Sequence, residues 1–336
     1  MTRRRGPSLP ERIGPYRVLA RIAESGSAEL FQVQKEEGGP VVCLKRLRVV
    51  PDNEDFVIEL ETEIAIARGL RHPNIVEVYD YGEDGGYYLT MELVDGLDLA
   101  KLLHHGPLGP GLVGYVGAEL AQALRYIHHS DPETGRRPLV HCDVTPHNVL
   151  VSRDGAVKLS DFGIAKVLRR TGAETLTRTK GKPSYLSPEQ WLGEPLSSKS
   201  DLFALGLVLW RALIDTHPYA EGLPRTGKRG AAQVELNDWI EKQTIANKRR
   251  TVSEAAPAAP PELARAIHGL LQLAPARTPA AEALLEALAP WMAQVRLGLD
   301  LAKLLHHGPL GPGLVGYVGA ELAQALRYIH HSDPET

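Results

Sequence analysis

Apolar and polar positions alternate along the first part of this chain and then change period. Tyr16–Ile22 and Glu29–Val33 each alternate with a period of two, which predicts two strands separated by the turn 23–28. Over residues 53–70, Phe56, Leu60, Ile64 and Ala67 recur at three- and four-residue spacing and predict a helix. Asp80–Leu93 predicts a hairpin that turns at Gly85-Gly86. Val113, Val116, Leu120, Leu124 and Ile127 share one face of a helix over 111–129. Val149-Leu150-Val151 and Ala156–Leu159 flank Arg153-Asp154-Gly155, which predicts two short strands around an Asp-Gly turn. Leu202–Ile214 is apolar nearly all round, as a central buried helix is, with Asp201 just before it placed to cap it. Pro218–Leu236 is rich in Gly and Arg and reads as a loop, and two or three further helices are expected between 261 and about 295.

The chemistry concentrates between His141 and Gly163. Asp143 is followed five residues later by Asn148, and the predicted hairpin returns the chain to Asp161. The start of one strand lies beside the end of the other, so Asn148 and Asp161 are expected near Asp143. Two oxygen ligands and a further carboxylate at one place suit Mg²⁺ and the orientation of a hydroxyl.

This stretch resembles the catalytic and metal-binding loops of eukaryotic-like (Hanks-type) protein kinases, and IGPYRVLARI, LRHPNIVEVYDYG, MELVDG and YLSPEQ extend the resemblance over about residues 13–290. Their wording is most similar to bacterial serine/threonine kinases. The resemblance implies an α+β, two-lobed kinase-like fold. Residues 11–95 would form a small antiparallel β lobe with one helix, 96–290 a larger, mainly helical lobe, and 291–336 a tail. It also implies ATP and Mg²⁺ as cofactors. Asp143 would orient the acceptor hydroxyl and take its proton, and Asn148 and Asp161 would hold the metal. Lys45, in Val42-Cys43-Leu44-Lys45, would pair with phosphates and with Glu63, while Glu59 and Glu61 are read as surface charge. Met91 would guard the back of the nucleotide pocket, Cys43 would line it, and Glu92 and Leu93 would offer backbone groups to adenine. His141 is read as structural, and Glu189 as the ion-pair partner of Arg277.

The chain departs from the family in several places. The nucleotide-covering loop carries Ala23, Ser25 and Ala28 where the family has glycines, with Gly26 one position off the pattern. Side chains there narrow the space over the phosphates and stiffen the loop, so weaker ATP binding is expected. Cys142 replaces an arginine that meets a phosphorylated activation-segment residue, Thr145 replaces a lysine that contacts the transferred group, and Lys182 replaces a threonine tied to serine/threonine specificity. Two readings follow: a weakly active serine/threonine kinase, and a pseudokinase serving as a binding or scaffold module. Retention of Lys45, Glu63, Asp143, Asn148 and Asp161 favours the first.

The net charge of −3 gives no bulk electrostatic reason for nucleic-acid or membrane binding. The run Leu202–Ile214 is too short to span a bilayer and contains Arg211. The two cysteines make no disulfide framework, so a cytoplasmic setting is expected, with the protein substrate unspecified. His104-His105 and His128-His129 are read as surface histidines, since neighbouring helical residues diverge by about 100°. Residues 298–336 repeat residues 96–134 without a change. The copy carries the same apolar face (Val315, Val318, Leu322, Leu326, Ile329), a candidate for self-association.

Overall fold

The computed structural model describes residues 9–25, 28–35, 37–48, 54–131, 138–162, 183–219 and 229–292, with the backbone alone at 54–56, 59, 63, 183, 229–236 and 277. Strands β1 (Arg12–Ile13), β2 (Tyr16–Glu24), β3 (Ala28–Gln34), β4 (Val41–Leu47), β5 (Val78–Glu83) and β6 (Tyr87–Met91) build one antiparallel sheet in the order β1-β2-β3-β4-β6-β5. Alternation sorts its two faces. Tyr16, Val18, Phe31, Val33, Val42, Leu44 and Tyr88 close over one side as a separate small core. Ala28, Cys43, Leu47, Leu89 and Met91 face the other way and join the main core. Helix α1 (Glu54–Arg68) brings Leu60, Ile64 and Ala67 to that second face. Gly85 (φ 58°) and Gly86 (φ 142°) make the tight β5–β6 turn, a backbone that side-chain-bearing residues rarely adopt.

The remainder is mostly helical: α2 (Leu99–Leu103), α3 (Pro110–His128), α4 (Pro188–Leu192), α5 (Ser198–Ile214), α6 (Arg229–Ala246), α7 (Val252–Ala255), α8 (Pro261–Leu270) and α9 (281–292). The predicted face of α3 is fully buried against α5 and the strand Val157–Leu159. Gly117 lets Leu209 and Leu288 approach within about 3 Å of where its Cβ would stand. Strands β7 (Gly96–Asp98), β8 (Val149–Ser152) and β9 (Val157–Leu159) form a small second sheet beside the helices.

Three expectations are corrected. Residues 229–236, read as loop from composition, begin α6. Its later turns are anchored, since Trp239 donates to the Tyr219 carbonyl (3.0 Å) and Ile240 is buried. Asp201 lies inside α5, whose N-cap is Ser197 in a reciprocal capping box with Ser200. His128 is no surface residue: its side chain is 4% exposed, and Nε2 meets Asp201 at 2.8 Å. Among the described residues no helix is long and apolar enough to cross a membrane.

Candidate active site

The β8–β9 hairpin sets the geometry. Gly155 takes φ 86° in its turn, and the register pairs Val149 with Leu159 and Val151 with Val157. The Ser160 N–H then donates to the Asn148 carbonyl (2.8 Å), fixing the residue before Asp161 beside the end of the loop at 141–148. Asn148 donates its side-chain amide to the Asp143 carbonyl (2.8 Å) and to Asp143 Oδ2 (2.7 Å). The three residues expected together are therefore brought together. Because the Asn148 nitrogen is spent on Asp143, its oxygen is the atom turned elsewhere.

Asp161 stands at φ 65°, uncommon for a residue with a side chain and frequent at functional sites. Its Oδ1 lies 2.6 Å from Lys45 Nζ, on the opposite wall of the cleft. Lys45 reaches there because β4 pairs it with Leu30 and Leu89 on the inward face of the sheet. The contact between Lys45 and Asp161 was not foreseen from sequence. The available signal was the assignment of opposite charges, Lys45 to the phosphates and Asp161 to the metal, to one nucleotide site. The side chain of Glu63 lies outside the described residues.

The loop is held from beneath. Asp201 accepts the N–H groups of His141 and Cys142 (2.8 Å each) as well as His128 Nε2, so one buried carboxylate braces three donors. His141 accepts the Asp143 N–H at Nδ1 (3.2 Å) and donates from Nε2 to the Ser160 carbonyl (3.0 Å). Burial lowers its pKa against the opposing pull of Asp201 and Asp143. A neutral ring is what this donor–acceptor pattern requires. Phe162 packs edge-on against it at 4.6 Å. Cys142 adopts φ 66°, and its carbonyl accepts from Gln190 Nε2 (3.0 Å). Thr145 is 2% exposed, as buried as Asp143 at 3%.

Across the cleft, the β2–β3 hairpin closes on itself. Ser25 N–H donates to the Ala28 carbonyl (2.8 Å), and Ala28 N–H donates to Ser25 Oγ (3.1 Å). Ala23 pairs with Leu30 inside β2–β3. The donors at Ser25 and Ala28 are thus spent within the turn, and Gly26 lies outside the described residues. Met91 is buried opposite Cys43, beside a small apolar recess lined by Ile64, Ala67, Val76, Val78, Leu89, Asp161 and Phe162. Burial first, then the Asp161 charge, pushes the Cys43 thiol up to about 12 against the Lys45 ammonium, so it packs as a neutral group. The Glu92 N–H is taken by the Glu77 carbonyl (2.8 Å), which leaves its carbonyl as the backbone group it can offer, while Leu93 is partly buried. The expected Glu189–Arg277 pair lies outside the described residues at Arg277, and Glu189 is seen accepting Ser200 Oγ (2.5 Å).

Residues 16–292 match the sequence profile of the family described as Protein kinase domain. Tyrosine-protein kinase MasK of Myxococcus xanthus is 32% identical over 324 residues, covering 92% of this chain and 47% of MasK. Serine/threonine-protein kinase PrkC of Bacillus subtilis is 35% identical over 210 residues, 61% of this chain and 31% of PrkC. The chain therefore spans less than half the length of these curated relatives. The crystal structure of the Mycobacterium tuberculosis PknI kinase domain superposes with a TM-score of 0.62 at 24% identity, covering 84% of this chain and all of that one, a likeness of fold.

Proposed function

The chain belongs to the protein kinase family, and we propose that it transfers the γ-phosphate of Mg²⁺-bound ATP to a serine or threonine hydroxyl of a protein. The observation that carries this reading is the Asp143–Asn148–Asp161 arrangement, with Lys45 reaching Asp161 from the opposite wall at 2.6 Å. Asp143, held by two hydrogen bonds from Asn148, orients the acceptor hydroxyl and accepts its proton. Lys45 supplies a fixed positive charge for the α- and β-phosphates, with Glu63 assigned to steady it. Ala23, Ser25, Gly26 and Ala28 cover the phosphates as a stiff hairpin. Met91, Glu92 and Leu93 border the base.

The donor set fits a hard divalent cation. An amide oxygen from Asn148 and a carboxylate from Asp161 are oxygen ligands of the kind Mg²⁺ prefers. Among the described residues no group of three or more His, Cys, Asp or Glu could hold a metal unaided, so the cation would draw its remaining ligands from phosphates and water. When bound, it supplies neutralisation of the negative charge on the transferring group.

The small sheet-bearing lobe (11–95) and the larger one (96–290) are assigned as the two walls of this cleft. A cytoplasmic setting suits Cys43 and Cys142, both buried as thiols. Because MasK is described as a tyrosine kinase and PrkC as a serine/threonine kinase, acceptor class is decided by phosphoamino-acid analysis of the product. The metal assignment is tested by titrating ATP with and without Mg²⁺. Wild type should bind more tightly with Mg²⁺, and Asp161→Asn should lose roughly tenfold or more of that gain. Binding indifferent to Mg²⁺ in the wild type would contradict the assignment.

A further inference from the structure

The side-chain amide of Gln190 is used at both of its ends. Oε1 accepts the Ser187 N–H (2.9 Å) and closes the capping box at the start of α4. Nε2 reaches out of the helix and donates to the Cys142 carbonyl (3.0 Å). That carbonyl belongs to the peptide unit that joins Cys142 to Asp143. The short helix α4 is therefore tied directly to the backbone that carries the Asp143 carboxylate.

The same peptide unit is gripped at its nitrogen, where the Asp143 N–H donates to His141 Nδ1 (3.2 Å). On the other side of Cys142, its own N–H donates to Asp201 Oδ1 (2.8 Å). Asp201 follows Ser200 in α5, and the Ser200 hydroxyl meets Glu189 Oε1 of α4 (2.5 Å), so the two helices that hold Cys142 also hold each other. The contacts close into a ring through Cys142, Asp201, Ser200, Glu189 and Gln190. Cys142 stands at φ 66° within it, a backbone that a residue with a side chain keeps only where its surroundings over-determine it. A peptide unit is planar, so releasing its carbonyl also releases the Asp143 N–H and the backbone angle from which the Asp143 side chain is aimed. Asn148 holds the carboxylate itself at Oδ2, so the constraint from Gln190 is a separate one.

We propose that Gln190 is a positioning residue for phosphoryl transfer, setting the Cys142–Asp143 peptide so that the Asp143 carboxylate is aimed at the acceptor hydroxyl. It acts through Asp143 and not on the nucleotide. This rests on the reading of Asp143 as the group that orients that hydroxyl and takes its proton. A small displacement of a positioned base costs rate while leaving nucleotide binding intact.

The test uses the full chain, with transfer of labelled γ-phosphate to a generic basic protein, ATP binding by calorimetry and Tm measured on the same samples. Gln190→Glu keeps an acceptor for the Ser187 N–H and loses the donor to Cys142, while Gln190→Met loses both and adds no charge. Each should lose about tenfold in kcat with ATP affinity within about twofold of wild type. Gln190→Glu should keep Tm within about 2 °C, since the capping box survives. In an Asp143→Asn background, Gln190→Glu should cost less than about twofold further, because the group it positions is gone. A kcat within about twofold of wild type in both single variants would overturn the proposal. So would matching losses of kcat and ATP affinity, or a further loss of about tenfold in the Asp143→Asn background, either of which marks a role that does not run through Asp143. A wild type that transfers no label would instead overturn the reading of Asp143, and the inference with it.

Discussion

His217 is a single side chain with a predictable effect on stability. It sits between Tyr185 and Tyr219, meets the Ser184 carbonyl through Nε2 (2.6 Å) and accepts the Tyr219 N–H at Nδ1 (3.3 Å). Burial is the main reason its pKa falls from the ordinary 6.5 to about 4; Arg211 lowers it further, and the Ser184 bond opposes both. A histidine with a depressed folded pKa is held neutral by the fold. Its contribution is whole above pH 6.5 and is lost as pH falls from there toward about 4, because the unfolded chain gains the proton first. Melting temperature should therefore decline across that window. In His217→Gln, which cannot charge, the decline should be shallower, with the remaining slope owed in part to His141 and His268, both also lowered. An identical slope in both proteins would refute this. Legibility at this scale depends on phase. His128 follows Leu124 by four residues and Leu120 by eight, so the helical pattern already placed it on the buried face. Adjacency to the exposed His129 obscured that signal.

Elements were legible where a turn or a period forced them. The Asp154-Gly155 turn and the alternation around it gave β8 and β9, because φ 86° at Gly155 suits glycine. The first turns of α6 were hidden by a Gly- and Arg-rich stretch whose composition argues for loop, while its later part is anchored by Trp239 and Ile240. The glycine-poor hairpin of β2 and β3 was visible as a departure, but its bracing was not. Arg48 binds Glu24 (2.7 Å) and Glu29 (3.1 Å), and Arg21 binds Glu24 (2.9 Å) while lying over the Phe31 ring. These pairings depend on two register shifts along β2 that no period reveals. The β7–β8 contact gives a sharp prediction. A Cβ at Gly96 would stand 2.0 Å from the Val151 carbonyl oxygen and 2.6 Å from Ser152 Cα, both backbone atoms. Gly96→Ala should cost about 3 kcal/mol and lower Tm by roughly 6–12 °C, measured by calorimetry. A Tm within about 2 °C of wild type would show that the two strands separate at little cost.

At the scale of the whole molecule, the buried core is built from residues 13–288, with Trp291 and Met292 packed against it, and the family match ends at 292. The identity of 298–336 with 96–134 brings a second copy of an apolar face whose first copy is fully engaged in α3. We expect deletion of 297–336 to leave Tm nearly unchanged and to reduce concentration-dependent self-association, followed by calorimetry and by light scattering across a dilution series. A large fall in Tm would place the tail within the folded core. The two-lobed fold was implied by the family resemblance, and the order of periods, strands first and helices after, agrees with it. The separate core beneath Tyr16 and Tyr88 was not, because nothing in the alternation says which of two apolar faces is covered by which segment.

The most direct test of the account is transfer of labelled γ-phosphate from Mg-ATP to the chain itself and to a generic basic protein, beside Asp143→Asn, with nucleotide binding measured on the same samples. Label is expected on serine or threonine in the wild type. Asp143→Asn should lose about 100-fold or more of that transfer with ATP affinity retained. Wild-type protein that binds Mg-ATP yet transfers no label, or label that persists undiminished in Asp143→Asn, would contradict it.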